Sequence, residues 1–552
     1  MTEPASRTSS DRSRTGDRPY ALLSPRGRYP IWTAAALLLV AVVVAPYVPL
    51  AVSLVSGGGE SWEHLRSTVL TRYVVNTVVL VGASAVLATV LGVAGAWILE
   101  RYDLPGTRVL ELLFVAPLAV PVYIGTFTWN GILAWGGPVY RLFGGTLPFR
   151  GWWAAVFVMV VGLYPYVYLT TRAALMSNSR VLFEVVASLS GAGTGRRTAY
   201  WRRLWSGVVP SLRPAIVGGA SLVAMEVMNA YATPVYLGVD TLSTGVFRTW
   251  FGLGDLDTAT TLAAIILLAM LGLIAVEQYG RGRRRYTAAG GAPARPVTVT
   301  GVARVALVGA LILPPALGFV LPMVQLGWWT VLSLEAGQAT GVLATTLRTV
   351  LLAGGATGTI LAVAILLNLA AYLRPGRLMS GALRVAGIGY AVPGTVVAIG
   401  VLAVFRSLSV IDQRLFLFGT VAGLLFAYAA RYLAVAVQPI QAGFARQHRS
   451  TVDAARSLGS GPWRVLTRVV LPVFRPTLAG AALLVAIDVI KDLPMTLLLR
   501  PFDFSTLAVD VYRLASDERM PEAAPRALLL AAVGILTIWI IMKPAVHRSE
   551  DA

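Results

Sequence analysis

Asp453-Ala454-Ala455-Arg456-Ser457-Leu458-Gly459, followed by Trp463-Arg464, Leu471-Pro472 and Arg475-Pro476, is the stretch from which the rest of the chain can be read. It is polar, it lies between two long apolar segments, and it has a counterpart nearer the middle. There the chain reads Glu184-Val185-Val186-Ala187-Ser188-Leu189, then Trp201-Arg202, Val209-Pro210 and Arg213-Pro214. In both copies the tryptophan precedes the proline by nine residues. Small residues (Ala454, Ala455, Gly459) allow another backbone to approach closely. Asp453, near the start of a short helix, suits the helix dipole and can meet a basic partner. Pro472 breaks the helix before the next apolar segment begins near Pro476.

Composition sets the surroundings of these two loops. Of 552 residues 56% are hydrophobic and only 13% charged, against about 25% in soluble proteins. So few charges cannot cover a soluble surface of this size, and the chain reads as an all-α integral membrane protein. The net charge of +20 comes mainly from arginines in short polar stretches such as Arg281–Arg285, Arg374/Arg377 and Arg446/Arg449. That is the pattern of loops on the cytoplasmic side of a membrane. The basic residues alternate with apolar segments and form no continuous stripe, which argues against nucleic acid as a partner. Cysteine is absent and the three histidines (His64, His448, His547) are scattered, so thiolate chemistry and a histidine metal cage have no residues to use.

Twelve segments are long and apolar enough to span: 31–55, 73–98, 109–135, 152–172, 214–238, 258–278, 302–326, 343–371, 384–406, 416–438, 476–499 and 524–543. Alternating from a cytoplasmic start places loops 173–213, 279–301, 372–383 and 439–475 on the arginine-rich inner side, with both termini inside. The two halves repeat. Thr77 matches Thr349 and Pro121 matches Pro393 at an offset of 272; Tyr164, Tyr168 and Leu169 match Tyr428, Tyr432 and Leu433 at 264; the loop Trp and Pro match at 262. Six spans per unit give both copies one orientation, so the repeats are parallel and related by an axis along the membrane normal. The expected organisation is a polar tail at 1–28, a first unit at 29–280 with its loop at 184–213, a linker at 281–301, a second unit at 302–545 with its loop at 453–476, and a short tail at 546–552.

Charges inside spans are costly and are functional candidates by default. Glu226 lies in the fifth span, and Asp488, Lys491 and Asp492 lie in the eleventh. Glu226 and Asp488 are repeat-equivalent at offset 262 and could face each other across a pathway, while Lys491 is one helical turn from Asp488 and can pair with it. A polar pathway or gate, and an ion pair stapling two helices, both fit these residues. The matched prolines 121 and 393 are candidates for shaping a pore at the pseudo-two-fold axis.

With both loops, the repeat and the stretch Lys491-Asp492-Leu493-Pro494-Met495-Thr496, the chain resembles the fused permeases of binding-protein-dependent type I ABC importers, and most closely their ferric-iron branch. The resemblance runs across nearly the whole chain. It implies a type I importer permease fold of about twelve helices in two parallel six-helix repeats, in a bacterial cytoplasmic membrane. It identifies the two loops as ATPase-coupling elements, with Glu184, Ala187, Asp453, Ala454, Ala455 and Gly459 as the seat for two copies of an ABC ATPase. It also implies an extracytoplasmic binding protein that docks on loops 239–257 and 500–523. The first loop departs from the family pattern: Glu184 to Trp201 spans 17 residues where Asp453 to Trp463 spans 10, and Val185-Val186 replaces the Ala pair. The cargo implied is Fe(III) or an iron chelate, with thiamine, polyamine or another small solute as alternatives. No G-x-x-x-x-G-K-[ST] loop is present, and Lys491 and Lys543 are the only lysines, so ATP and Mg belong on the partner subunits and this chain carries no catalytic residue or cofactor of its own. An ion-driven secondary transporter would have no use for twin coupling loops, and an intramembrane enzyme would need a clustered nucleophile and base that the sequence lacks.

Overall fold

The structure is a computed structural model that describes residues 30–188, 209–281, 296–373, 376–387, 389–415, 417–446 and 471–547, together with 457, 464, 467 and 468. The first half is built from α1 (Pro30–Val44), α2 (Tyr47–Ser56), α3 (Leu70–Arg101), α4 (Thr107–Val115), α5 (Val122–Leu133), α6 (Gly151–Ser188), α7 (Val209–Asn229), α8 (Ala232–Leu237), α9 (Leu242–Phe247) and α10 (Leu256–Arg281). The second half repeats this order with α11 (Gly301–Pro315), α12 (Leu321–Glu335), α13 (Val342–Leu373), α14 (Arg377–Ala386), α15 (Gly394–Ile411), α16 (Val421–Arg446), α17 (Arg475–Lys491), α18 (Pro494–Leu499), α19 (Leu507–Ser516) and α20 (Met520–His547). A few short turns of helix lie between these elements. The pairs α3 and α13 are both 32 residues long and begin at the offset of 272 that the sequence carries.

Among the described residues nine helices are long and apolar enough to cross a membrane, and two more bent pairs bring the number to as many as eleven. The bent pairs fall in the first and third expected spans. The remaining expected span, 476–499, is the 17-residue α17 continued after a break by α18. Side chains on the outer faces fit this setting: α3 turns Val75, Val78, Val79, Val86 and Val90 outward. A contiguous exposed apolar stripe of that kind suits lipid, not water. The inner face of α3 carries Ser84, Ala88, Gly92 and Ala96 at every fourth position, all buried. Small residues at that spacing let helices pack closely in lipid. Gly92 meets α6 so closely that a Cβ there would lie 2.8 Å from the Tyr164 carbonyl oxygen.

The halves are interlocked rather than juxtaposed. α1 packs on α13, α14 and α16 of the second half, while α11 packs on α3 and α4 of the first. Two polar contacts mark the exchange. The Tyr47 hydroxyl donates to the Ala430 carbonyl at 3.4 Å, and Trp129 Nε1 donates to the Leu317 carbonyl at 3.1 Å. The first loop begins as helix: α6 runs on through Ser188, and α7 starts at Val209.

Besides the bend in the first span, four spans are interrupted inside the bundle. In the third and ninth, a short 3-10 turn (Ala116–Ala119, Gly389–Ala391) ends before Pro121 and Pro393, and each proline stands in an extended conformation at the start of the next helix. The helix axes around Pro121 bend by 94°. In the fifth and eleventh, which the hydropathy presents as single spans, the helix stops at Asn229 and Lys491 and resumes at Ala232 and Pro494. Irregular backbone within a membrane protein is tolerated where it is buried in protein or borders a water-filled cavity. The next section describes such a cavity.

Candidate functional site

All four breaks open onto one cavity of about 370 Å³. Pro121 and Pro393 line it on opposite halves, and so do Glu226, Asp488, Lys491 and Asp492. The structure therefore brings the four sequence-derived pathway candidates together with the proline pair.

The pseudo-two-fold relation shows in two cross-contacts. Asn229 and Lys491 are repeat-equivalent, and each is the last residue of its helix. Asn229 Oδ1 accepts the backbone N–H of Gly394 in the other half at 2.9 Å, just beyond Pro393. Lys491 Nζ donates to the carbonyl of Leu118 in the other half at 3.3 Å, just before Pro121. Each broken span thus satisfies a backbone group that the break in the other half has freed, which is where an unpaired peptide group would be most costly. The sequence offered Asp488 as the partner of Lys491; the hydrogen bond of its ammonium goes instead to Leu118.

Asp492 has a different role from its neighbours. It is 1% exposed and its Oδ1 accepts from Arg431 and from the Tyr432 hydroxyl, both at 3.0 Å. Its Oδ2 accepts from the Thr496 N–H and hydroxyl at 3.0 Å, tying down the first turn of α18. The Thr496 hydroxyl then meets the Tyr428 hydroxyl at 2.6 Å. Charge-assisted bonds of this density hold a buried carboxylate firmly. Gly394 completes the arrangement, because a Cβ there would stand 2.0 Å from an Arg431 nitrogen. Asp492 is thereby committed to the protein. Glu226 and Asp488 have no ion pair or hydrogen bond among the described residues, and they face the cavity from the two halves.

With Arg431 and Asp492 paired to each other, Glu226, Asp488 and Lys491 are the other Asp, Glu, Lys or Arg side chains that line the cavity. The Tyr166, Tyr390 and Tyr432 rings line it too. No group of three or more His, Cys, Asp or Glu side chains able to hold a metal ion occurs among the described residues.

Arg431, Tyr432 and Asn229 were not singled out from sequence. Arg431 could have been: it is a charge inside the expected span 416–438, the same signal that picked out Glu226. The coupling candidates fall elsewhere. Glu184 and Ala187 lie on the last turns of α6, far along the chain from the break at Pro121, while Asp453, Ala454, Ala455 and Gly459 lie outside the described residues.

Bent and broken spans, two repeated halves and a cavity lined by charged side chains from both halves fit a membrane permease. Residues 358–543 match the family of binding-protein-dependent transport system inner membrane components. The chain is 25% identical over 527 residues to the Fe(3+)-transport system permease protein FbpB 2 of Haemophilus influenzae, covering 94% of this chain and 99% of that one. It is 24% identical over 530 residues to the probable ABC transporter permease protein y4fN of Sinorhizobium fredii, covering 89% and 90%. A shorter match, 30% over 168 residues, joins it to a probable sulfate transport system permease protein of Chlorokybus atmophyticus, covering 29% of this chain and 56% of the other. The family domain is thus matched in the second half, and the similarity to proteins named as transport permeases extends over both halves.

Proposed function

We propose that this chain is the membrane subunit of an ATP-driven importer that carries Fe(III) or an iron chelate into the cell. The observation that carries the reading is the end-to-end similarity to a permease named for Fe(3+) transport, which spans both repeats and their loops. The cavity between the halves supports it, because its two uncommitted carboxylates suit a cation in transit.

In this reading an extracytoplasmic binding protein docks over loops 239–257 and 500–523, and two ATPase subunits dock on loops 184–200 and 453–466. Both termini are cytoplasmic. Nucleotide binding closes the ATPase pair, and the coupling segments turn with it. The motion passes along α6 and α16 to the breaks at Pro121 and Pro393, and the cavity opens outward to take the cargo. ATP hydrolysis stays on the partner subunits. Glu226 and Asp488 act as weak electrostatic stations rather than ligands, because cargo held tightly could not leave.

The test is uptake of radiolabelled Fe(III) into proteoliposomes holding this chain, its ATPase and the loaded binding protein. Uptake should need all three components and ATP, and Gly459→Asp or Asp453→Arg should abolish it while the chain still inserts. Binding-protein-stimulated ATP hydrolysis without iron uptake would sink the cargo assignment alone. Failure of the ATPase to associate at all would sink the importer reading.

A further inference from the structure

A second cavity, of about 410 Å³, lies beside α19 at the end of the bundle that the proposed topology places outside. Five arginines line it (Arg348, Arg500, Arg513, Arg519 and Arg526) against three carboxylates, Asp503, Asp510 and Glu522. Two of the carboxylates are already engaged. Asp510, buried, accepts from Ser505 at 2.5 Å and Thr345 at 2.8 Å and lies 3.3 Å from Arg526 Nε. Glu522 is held by both arms of Arg519, at 2.7 and 2.6 Å. Among the described residues Arg348 and Arg500 have only backbone carbonyls as partners, those of Asp503 at 3.4 Å and Phe504 at 2.9 Å.

The first half, at the same place, carries a smaller excess among the described residues: two arginines share one carboxylate. The N-cap residues Thr241 and Thr506 correspond, and so do Arg248 and Arg513, at an offset of 265. In the first half Asp240 precedes the cap and bridges Arg72 and Arg248. In the second half Ser505 stands in place of Asp240, and Arg348 in place of Asn76. Burial and the nearby Arg513 also hold the Arg500 guanidinium below its ordinary acidity range, with Asp510 only partly offsetting them. Guanidinium groups crowded into one partly dry cavity are stabilised by an oxyanion that takes them in pairs.

We infer that this cavity is a binding site for a small multivalent oxyanion of the phosphate or polycarboxylate class, held mainly by Arg348 and Arg500. The inference rests on the proposed orientation only for the side from which the anion arrives. The probe is radiolabelled inorganic phosphate bound to the detergent-purified full chain, with citrate as competitor. Wild type should bind saturably and reversibly, and Arg500→Gln and Arg348→Gln should each weaken binding at least tenfold. Arg500→Lys should retain part of it, and Arg72→Gln, at the Asp240 site of the first half, should leave it unchanged. Melting temperatures of the variants separate lost binding from lost folding. No saturable binding of phosphate or citrate to wild type would overturn the inference, as would binding indifferent to both substitutions. Neither result bears on iron uptake, and loss of iron uptake says nothing of phosphate binding, so the two proposals fail separately.

Discussion

Arg431 and Asp492 occupy, in the second half, the places that Val167 and Ala230 occupy in the first. The two halves share the order of their helices, their breaks and their cross-contacts, yet one carries a buried ion pair where the other carries two apolar side chains. The first half shows that the break itself needs no charge. Val167 and Ala230 suffice for the chain to leave α7 and re-enter at α8. The pair in the second half is therefore an added constraint that fixes α16 against the start of α18, and only on one side of the cavity. With the ion pair on one side only, the two walls of the cavity differ in a way that a symmetric pair of subunits could not have.

The largest effect expected follows from removing one partner of that pair. Asp492→Ala leaves Arg431 buried without its carboxylate, which costs roughly 3–5 kcal/mol. Arg431→Val together with Asp492→Ala recreates the first-half pair and should recover most of the loss. Thermal unfolding of the detergent-purified variants measures both. If the double variant is no more stable than the single, the ion pair is not interchangeable with the Val and Ala of the first half, and the equivalence of the two breaks fails.

A second comparison tests where the halves agree. The Thr77 hydroxyl accepts the Leu242 N–H and the Thr349 hydroxyl accepts the Leu507 N–H, both at 2.9 Å. Each bond anchors the first turn of an outer helix, α9 or α19, on a long span. Thr77→Val and Thr349→Val each orphan a buried N–H, at a cost of about 2 kcal/mol. Similar losses in the two variants are expected from the same melting assay. A loss confined to one would mean that the matching geometry hides unequal roles.

Glu226 and Asp488 sharpen the comparison at the cavity. Because neither is committed to a partner among the described residues, Glu226→Gln and Asp488→Asn should spare stability. Each should slow iron uptake on the order of tenfold, equivalent to about 1.4 kcal/mol in the barrier. Equal losses would mark a pathway shared by both halves, and a loss in one alone would put the cation path nearer that wall.

Much of this was legible in the sequence. The offsets of 272 to 262 between the halves reappear as ten helices matched one for one, and the four charges within apolar segments do meet in one cavity. What hydropathy could not show is that 214–238 and 476–499 are broken. The short helices α8 and α18 are as apolar as the spans they extend, so an average over composition runs smoothly across the gap. The break is instead a matter of which backbone groups have partners. Asn229, Lys491 and Asp492 supply those partners, and their targets (Gly394, Leu118 and Thr496) lie up to hundreds of residues away or across a turn. The cost of Arg431 inside a span was visible; its partner was not, since 61 residues separate it from Asp492.

The smallest effect tests a cap that the halves do not share. Asp255 precedes α10, and its carboxylate accepts from the Thr258 N–H at 2.9 Å, the Thr258 hydroxyl at 2.7 Å and the Ser61 N–H at 2.9 Å. Its counterpart before α20 is Arg519, which pairs with Glu522 instead. Partial burial alone would raise the Asp255 carboxyl, but the hydrogen bonds from Thr258 and Ser61 outweigh it and hold the group below its ordinary value. A carboxyl with a lowered folded pKa contributes its stability in full above the unfolded value, about 3.9, and loses it as pH falls through the folded value. Asp255→Ala should therefore cost about 1 kcal/mol near neutral pH, as for other N-cap residues. The gap between variant and wild type should narrow once pH drops below about 4. Melting curves from pH 7 down to about 3 would decide it, and a gap that stays constant across that range would mean the Asp255 contacts work through packing rather than charge.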